Sequence, residues 1–100
     1  MKGTPDERTI DDLRHQVAEL DRAIVDAVNR RLELVSRLKD VKAREGIGFL
    51  DPEREAWLLE HFRRSNTGPL SDEGLQRLHR ELLALTKDEV ARMGEERQNT

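Results

Sequence analysis

The sequence predicts an all-α fold of three helices, one long and two shorter, closed by a second copy of the chain. Three observations lead there. Ile10, Val17, Ile24 and Leu38 keep a seven-residue spacing, with Leu13, Leu20, Ala27, Leu34 and Val41 as the companion series. That is the signature of an amphipathic helix with a continuous apolar stripe. Leu, Arg, Glu, Ala and Asp dominate the composition, which suits helices and argues against sheet. Hydrophobic residues make up 35% and charged residues 39% of the 100 positions. A chain this small and polar buries a modest core alone, so an oligomer is expected.

The first helix is predicted from about Ile10 to Glu45. Thr9 or Asp11 is its expected cap, and Gly46 and Gly48 its stop. At ~1.5 Å per residue it spans roughly 54 Å, too long for a compact monomer of this size. It needs a partner along its whole stripe. Residues 1–9 before it are expected to be a flexible segment.

The second helix opens on strong punctuation. Asp51 is a good N-cap, Pro52 fits the first helical position, and Glu53 adds charge that favours a helix start. It continues through Trp57, Leu58 and Phe62 to the turn Asn66-Thr67-Gly68-Pro69. The third helix opens at Ser71, followed by Asp72 and Glu73. Leu75, Leu78, Leu82, Leu83 and Leu85 are its expected apolar face. It is predicted to fray after Val90. The helical domain is thus residues 10–91, with 92–100 a polar, loose tail.

Composition also excludes function classes. The net charge is −3, so there is no bulk basic field for nucleic acid. Arg30, Arg31, Arg37, Lys39, Lys42 and Arg44 cluster, but Glu33 and Asp40 interrupt them and no aromatic residue offers a stacking platform. Cysteine is absent, so neither disulfides nor thiolate chemistry is available. His15, His61 and His79 match no metal-ligand spacing and are expected at the surface or its boundary. No stretch approaches the roughly 18 apolar residues of a membrane span. Met1 to Asp12 carry no signal-type apolar core. A cytoplasmic location is expected, with no membrane and no nucleic-acid partner.

One residue breaks the apolar stripe. Arg31 occupies the place in the first series where Ile or Leu belongs. A cation there is costly unless an anion meets it. Either a protein carboxylate such as Asp21 or Asp26 answers it, or a carboxylate of a ligand does. Lys42, eleven residues on, returns to within about 20° of the same face. Arg14, seventeen residues earlier, points about 100° away and reaches such a pocket only from a paired helix. Arg54 and Glu55 follow the Asp51 cap, and Thr86 lies beside the apolar face of the third helix. Each has an ordinary reading: Arg14, Arg54 and Glu55 as surface charges, Lys42 as a helix-end cation, Asp51 as a cap. Taken together they suit a small dianion carrying a hydroxyl group, because arginine matches carboxylates through paired N–H donors.

The run L-R-H-Q-V-A-E-L-D-R-A-I-V-D-A-V-N-R-R-L-E-L-V (Leu13 to Val35), the stretch L-K-D-V-K-A-R-E-G and the later L-D-P-E-R-E resemble the all-helical, type II chorismate mutases. The resemblance covers roughly residues 10–90, and the spacing of Arg14, Arg31, Lys42 and Arg54-Glu55 matches as a set. It implies an intertwined helical homodimer with two identical sites and no cofactor or metal. By position, Arg31 would bind one carboxylate of chorismate, and Arg14 of the other subunit a carboxylate too. Lys42 would reach the ether oxygen, and Asp51 and Glu55 the ring hydroxyl region. Arg54 would be a further carboxylate-side or site-ordering cation, and Thr86 would contact a carboxylate where the family often has Ser. Lys42, Arg31 and Glu55 would carry the catalysis.

The chain departs from the family at one place. Four residues after that hydroxyl the family usually has Gln or Glu, which helps the lysine polarise the ether oxygen. Here Val90 stands there, with Glu89 beside it, and Lys87 replaces a usually apolar residue. Either the register of the third helix against the family is shifted by one residue or the donor is missing. The implied reaction is the [3,3] rearrangement of chorismate to prephenate in phenylalanine and tyrosine biosynthesis. The alternatives are an isochorismate pyruvate lyase or a 4-amino-4-deoxychorismate mutase on the same scaffold, or a non-catalytic dimeric regulatory module.

Overall fold

The computed structural model describes residues 5–48 and 51–98. They form three helices, α1 (Pro5–Arg44), α2 (Pro52–Ser65) and α3 (Asp72–Gln98), and no strand occurs among the described residues. The chain divides into two units, Met1–Glu33 and Leu34–Thr100, the division falling inside α1.

In the first unit, α1 starts five residues earlier than its apolar periodicity indicates. Pro5 opens it, so Thr9 and Asp11 are interior residues and not caps. The reason is local. A proline has its φ preset and lacks an N–H that would go unmatched at a helix start. Asp6 and Glu7 then place negative charge in the first turn, where the helix dipole favours it. Residues 1–4 of the expected flexible segment lie outside the described residues. Along this part of α1 the stripe residues Ile10, Leu13, Val17, Leu20 and Ile24 are 47–65% exposed. Ile10, Leu13, Arg14, Val17, Ala18 and Asp21 line a trough on this face. Toward its end, Val28 and Arg31 are half-buried and Leu32 is buried.

In the second unit, α1 ends at Arg44, and Gly46 does the stopping. Its φ of 73° is left-handed, a conformation glycine adopts without a Cβ clash. Its N–H donates to the Ala43 carbonyl at 3.2 Å, and the Ile47 N–H donates to the Lys42 carbonyl at 2.8 Å. This pair of bonds is the Schellman termination. Gly48 lies beyond it and takes no part in these two bonds.

At the start of α2, Asp51 is extended (φ −141°) and its Oδ1 accepts the Arg54 N–H at 3.2 Å, as its cap role predicts. No α2 residue is fully buried. The helix leans on α3 through Phe62, whose ring meets the His79 ring edge-on at 5.4 Å. His79 is therefore interior, at 7% exposure, and not the surface or boundary residue expected from sequence. The α2–α3 turn is held by Asn66, whose side-chain amide donates to the Leu70 carbonyl at 2.8 Å. Arg63 of α2 donates to Asp72 of α3 at 3.3 Å and also to Glu60. Those hydrogen bonds, Glu60 first, raise its pKa.

At the start of α3, Ser71 caps as predicted, its hydroxyl oxygen accepting the Gly74 N–H at 3.0 Å. The buried line of the helix is Leu75, His79, Thr86 and Val90. Leu78 and Leu85 of the expected face are exposed, while Leu82 and Leu83 are half-buried. The helix does not fray after Val90. Arg92 ties Glu89 at 2.9 Å to Glu96 at 2.6 Å along its surface, and such pairs one turn apart support a helix. Arg97 reaches Asp40 of α1 at 2.6 Å. The tail is polar, as expected, but helical through Gln98; residues 99–100 lie outside the described residues.

Candidate active site

Arg31, the cation within the apolar stripe, does not point into bulk water. It is half-buried on α1, and burial pushes its guanidinium below the ordinary arginine value. A cation partly withdrawn from solvent gains more from an arriving carboxylate than an exposed one does, because less water competes for it. Arg14 lies in the same unit but is exposed, at the edge of the apolar trough. Seventeen residues of helix put ~25 Å between the two, so they do not meet within one chain.

Lys42 is half-buried in the last turn of α1. The Schellman termination fixes its backbone, since its own carbonyl receives the Ile47 N–H. Asp51, the N-cap of α2, is brought together with Arg54 and Glu55 of its first turn. Asp51 takes the Arg54 N–H on its side chain and the Glu55 N–H, at 3.0 Å, on its carbonyl. All three side chains are exposed. The Arg54 guanidinium lies 4.1 Å from the centre of the Trp57 ring, and His61 stacks on the same indole at 5.0 Å with the planes 9° apart.

Thr86 is 6% exposed, and its hydroxyl donates to the Leu82 carbonyl at 2.6 Å. Val90, one turn on, is 1% exposed. Glu89 is half-buried and pairs with Arg92. An apolar side chain thus occupies the interior position of this turn, and the half-buried neighbouring carboxylate is engaged by Arg92.

All the candidates, from Arg14 to Thr86, fall within one stretch that known proteins share. The profile of the type II chorismate mutases matches residues 13–90. This chain belongs to the type II chorismate mutase family. A bifunctional chorismate mutase/prephenate dehydratase of Stutzerimonas stutzeri is 40% identical over 78 residues, covering 72% of this chain and 21% of that protein. The T-protein of Enterobacter agglomerans is 42% identical over 52 residues, covering 52% of this chain and 14% of its own length. The chain thus spans about a fifth or less of the curated relatives it matches. A solved chorismate mutase (form II) of Thermus thermophilus aligns with a TM-score of 0.77 at 28% identity, over 84% of this chain and 96% of that one. The all-α fold of three helices is accordingly that of the type II chorismate mutases.

Three features of this mutase-family chain were not anticipated from its sequence. Ser36 is 3% exposed; its signal is its place four residues after buried Leu32 and four before Asp40. Trp57 lies three residues after Arg54, a spacing that permits stacking on a helix. The contact between Asp40 and Arg97 spans 57 residues and leaves no local signal.

Proposed function

We propose that this chain rearranges chorismate to prephenate, in the route to phenylalanine and tyrosine, as an intertwined homodimer in the cytoplasm. The observation that carries the reading is Arg31: a guanidinium set into an apolar helical stripe and partly desolvated, in a chain of this family. The exposed stripe Ile10, Leu13, Val17, Leu20 and Ile24 supports the dimer, since apolar surface on this scale favours burial against a partner. Among the described residues no helix is long and apolar enough to cross a membrane.

The reaction breaks one C–O bond and forms one C–C bond within a single molecule. It needs no nucleophile and no proton transfer, and the chain has two tasks. The first is to hold the enolpyruvyl arm over the ring in a chair-like shape. Arg31 of one subunit and Arg14 of the other clamp the two carboxylates, with Thr86 and Arg54 assisting, and Asp51 and Glu55 face the ring hydroxyl. Holding reacting atoms in place removes several kcal/mol of barrier. The second task is to stabilise the negative charge that grows on the ether oxygen as its bond stretches. Lys42 does this, and loss of one such donor typically costs about 3–4 kcal/mol.

The buried Val90 favours a second reading. A site without the family's amide or carboxyl donor at that place suits a sister reaction, isochorismate pyruvate lysis or 4-amino-4-deoxychorismate rearrangement, or a regulatory module that binds without turnover. Chromatography of the products from each substrate separates these. Chorismate loss with prephenate formation, abolished in Arg31→Ala, sustains the proposal; no turnover of chorismate ends it. Lys42→Ala is expected to lower kcat by about 10²–10³-fold, and Arg14→Ala to act mainly on KM. A monomer by light scattering would remove the shared site.

A further inference from the structure

We infer that Arg97 is a positioning residue: its ion pair with Asp40 holds the Lys42 end of α1 against the face of α3 that carries Thr86 and Val90. The inference rests on the proposed role of Lys42. Four observations carry it. Arg97 meets Asp40 with two prongs, Nη1 to Oδ2 at 2.6 Å and Nη2 to Oδ1 at 3.4 Å. Asp40 stands two residues before Lys42, and both lie in the last turns of α1. Arg97 stands eleven residues after Thr86 and seven after Val90; at ~100° per residue all three share one face of α3. Ser36, one turn before Asp40, is 3% exposed, so the same side of α1 that bears Asp40 is turned inward.

The geometry suits positioning better than stabilisation. Both partners keep about half of their side-chain exposure, 51% and 45%, and exposed ion pairs add little to folding. A planar guanidinium gripping a carboxylate at two points fixes orientation as well as distance. The Schellman bonds already set the turn that follows Lys42. The Arg97 clamp fixes the turn that precedes it, and it does so relative to α3. A cation at the ether oxygen is sensitive to such fixing, since a misplacement of about 1 Å can cost up to 10²-fold in rate.

The test uses the full chain with Arg97→Ala, Asp40→Ala and the exchanged pair Asp40→Arg/Arg97→Asp. Each single variant is expected to lower kcat by about 3- to 30-fold with KM within about twofold. The melting temperature should move by no more than ~4 °C, the scale of one exposed ion pair. The exchanged pair is expected to recover most of kcat. Unchanged kcat in both singles overturns the inference. So does a kcat loss that the exchanged pair leaves uncorrected and that tracks a loss of helicity by circular dichroism. Hydrogen exchange at the Ile47 amide, which bonds the Lys42 carbonyl, gives a readout free of the proposed reaction. Its protection should fall in Arg97→Ala and return in the exchanged pair. Should the parent chain not turn over chorismate, the proposed function has failed, and this exchange alone decides whether Arg97 orders the Lys42 turn; unchanged protection rejects it.

Discussion

Val90 stands one helical turn after Thr86 on the same buried face of α3, at 1% and 6% exposure. The neighbouring Glu89 pairs with Arg92 at 2.9 Å. The pair therefore presents one hydroxyl and one apolar side chain to the interior, and the negative charge of half-buried Glu89 is answered by Arg92.

Val90→Gln is expected to trade stability for rate. An amide at a 1% exposed site that lacks a partner costs about 1–3 kcal/mol. With substrate bound, the same amide supplies a second donor beside Lys42, and kcat should rise by about 10-fold, a fraction of the usual worth of such a donor. Thermal melting and steady-state kinetics check both halves. A lower kcat would place Val90 away from the ether oxygen.

Thr86→Val tests the hydroxyl. The hydroxyl proton goes to the Leu82 carbonyl at 2.6 Å, a back-bond that adds little to a helix. Stability should change by less than about 1 kcal/mol. Contact with a substrate carboxylate requires the proton to swing away from Leu82, so Thr86→Ser should keep KM while Thr86→Val raises it by about 10-fold or more, the worth of a hydrogen bond to a charged group. Equal KM in all three chains would remove Thr86 from the site.

Arg31→Met should abolish turnover while the fold is retained. Burial holds the Arg31 pKa down, so the unfolded chain keeps this proton more tightly than the folded one, and this desolvation is present at every pH below its folded pKa. That pH range covers neutrality entirely, and Arg31 contributes no slope to stability between about pH 5 and 9. Methionine keeps the apolar stem and drops the charge, so the melting temperature should move by no more than ~4 °C while turnover is lost. Retained turnover in Arg31→Met would remove Arg31 from the site.

Gly46→Ala should destabilise by about 1–2 kcal/mol, because a Cβ is strained at positive φ. The backbone at φ 73° has open space around it, so the penalty comes from the backbone alone. Gly48→Ala, where nothing crowds a Cβ either and φ is ordinary, should be close to neutral. Chemical denaturation of the two variants separates them.

The local rules are legible in the chain. Asp51 before Pro52, Ser71 before Asp72 and glycine at 46 each act within one turn, and each does what its residue type requires. The two helix ends that depart from expectation are set by polar residues. Pro5 opens α1 ahead of Asp6 and Glu7, and Arg92 with Glu89 and Glu96 supports α3 beyond Val90; none of these lies on the apolar pattern that bounds the helices by periodicity.

Spacing along a helix converts into angle and relates Arg14, Arg31 and Lys42; Asp51, Arg54, Glu55 and Thr86 join them as candidates through the family resemblance. Leucine content alone misleads about α3, where Leu78 and Leu85 are exposed and His79 is buried. A helix's composition says that an apolar face exists; its rotation is set by what packs on it. Periodicity and caps therefore determined the three helices and the candidate cations. Only the tertiary packing decided that Val90 and not Glu89 turns inward, and that Arg97 returns across 57 residues to Asp40. Such contacts depend on where two distant turns meet, and no local free energy in either turn encodes that meeting.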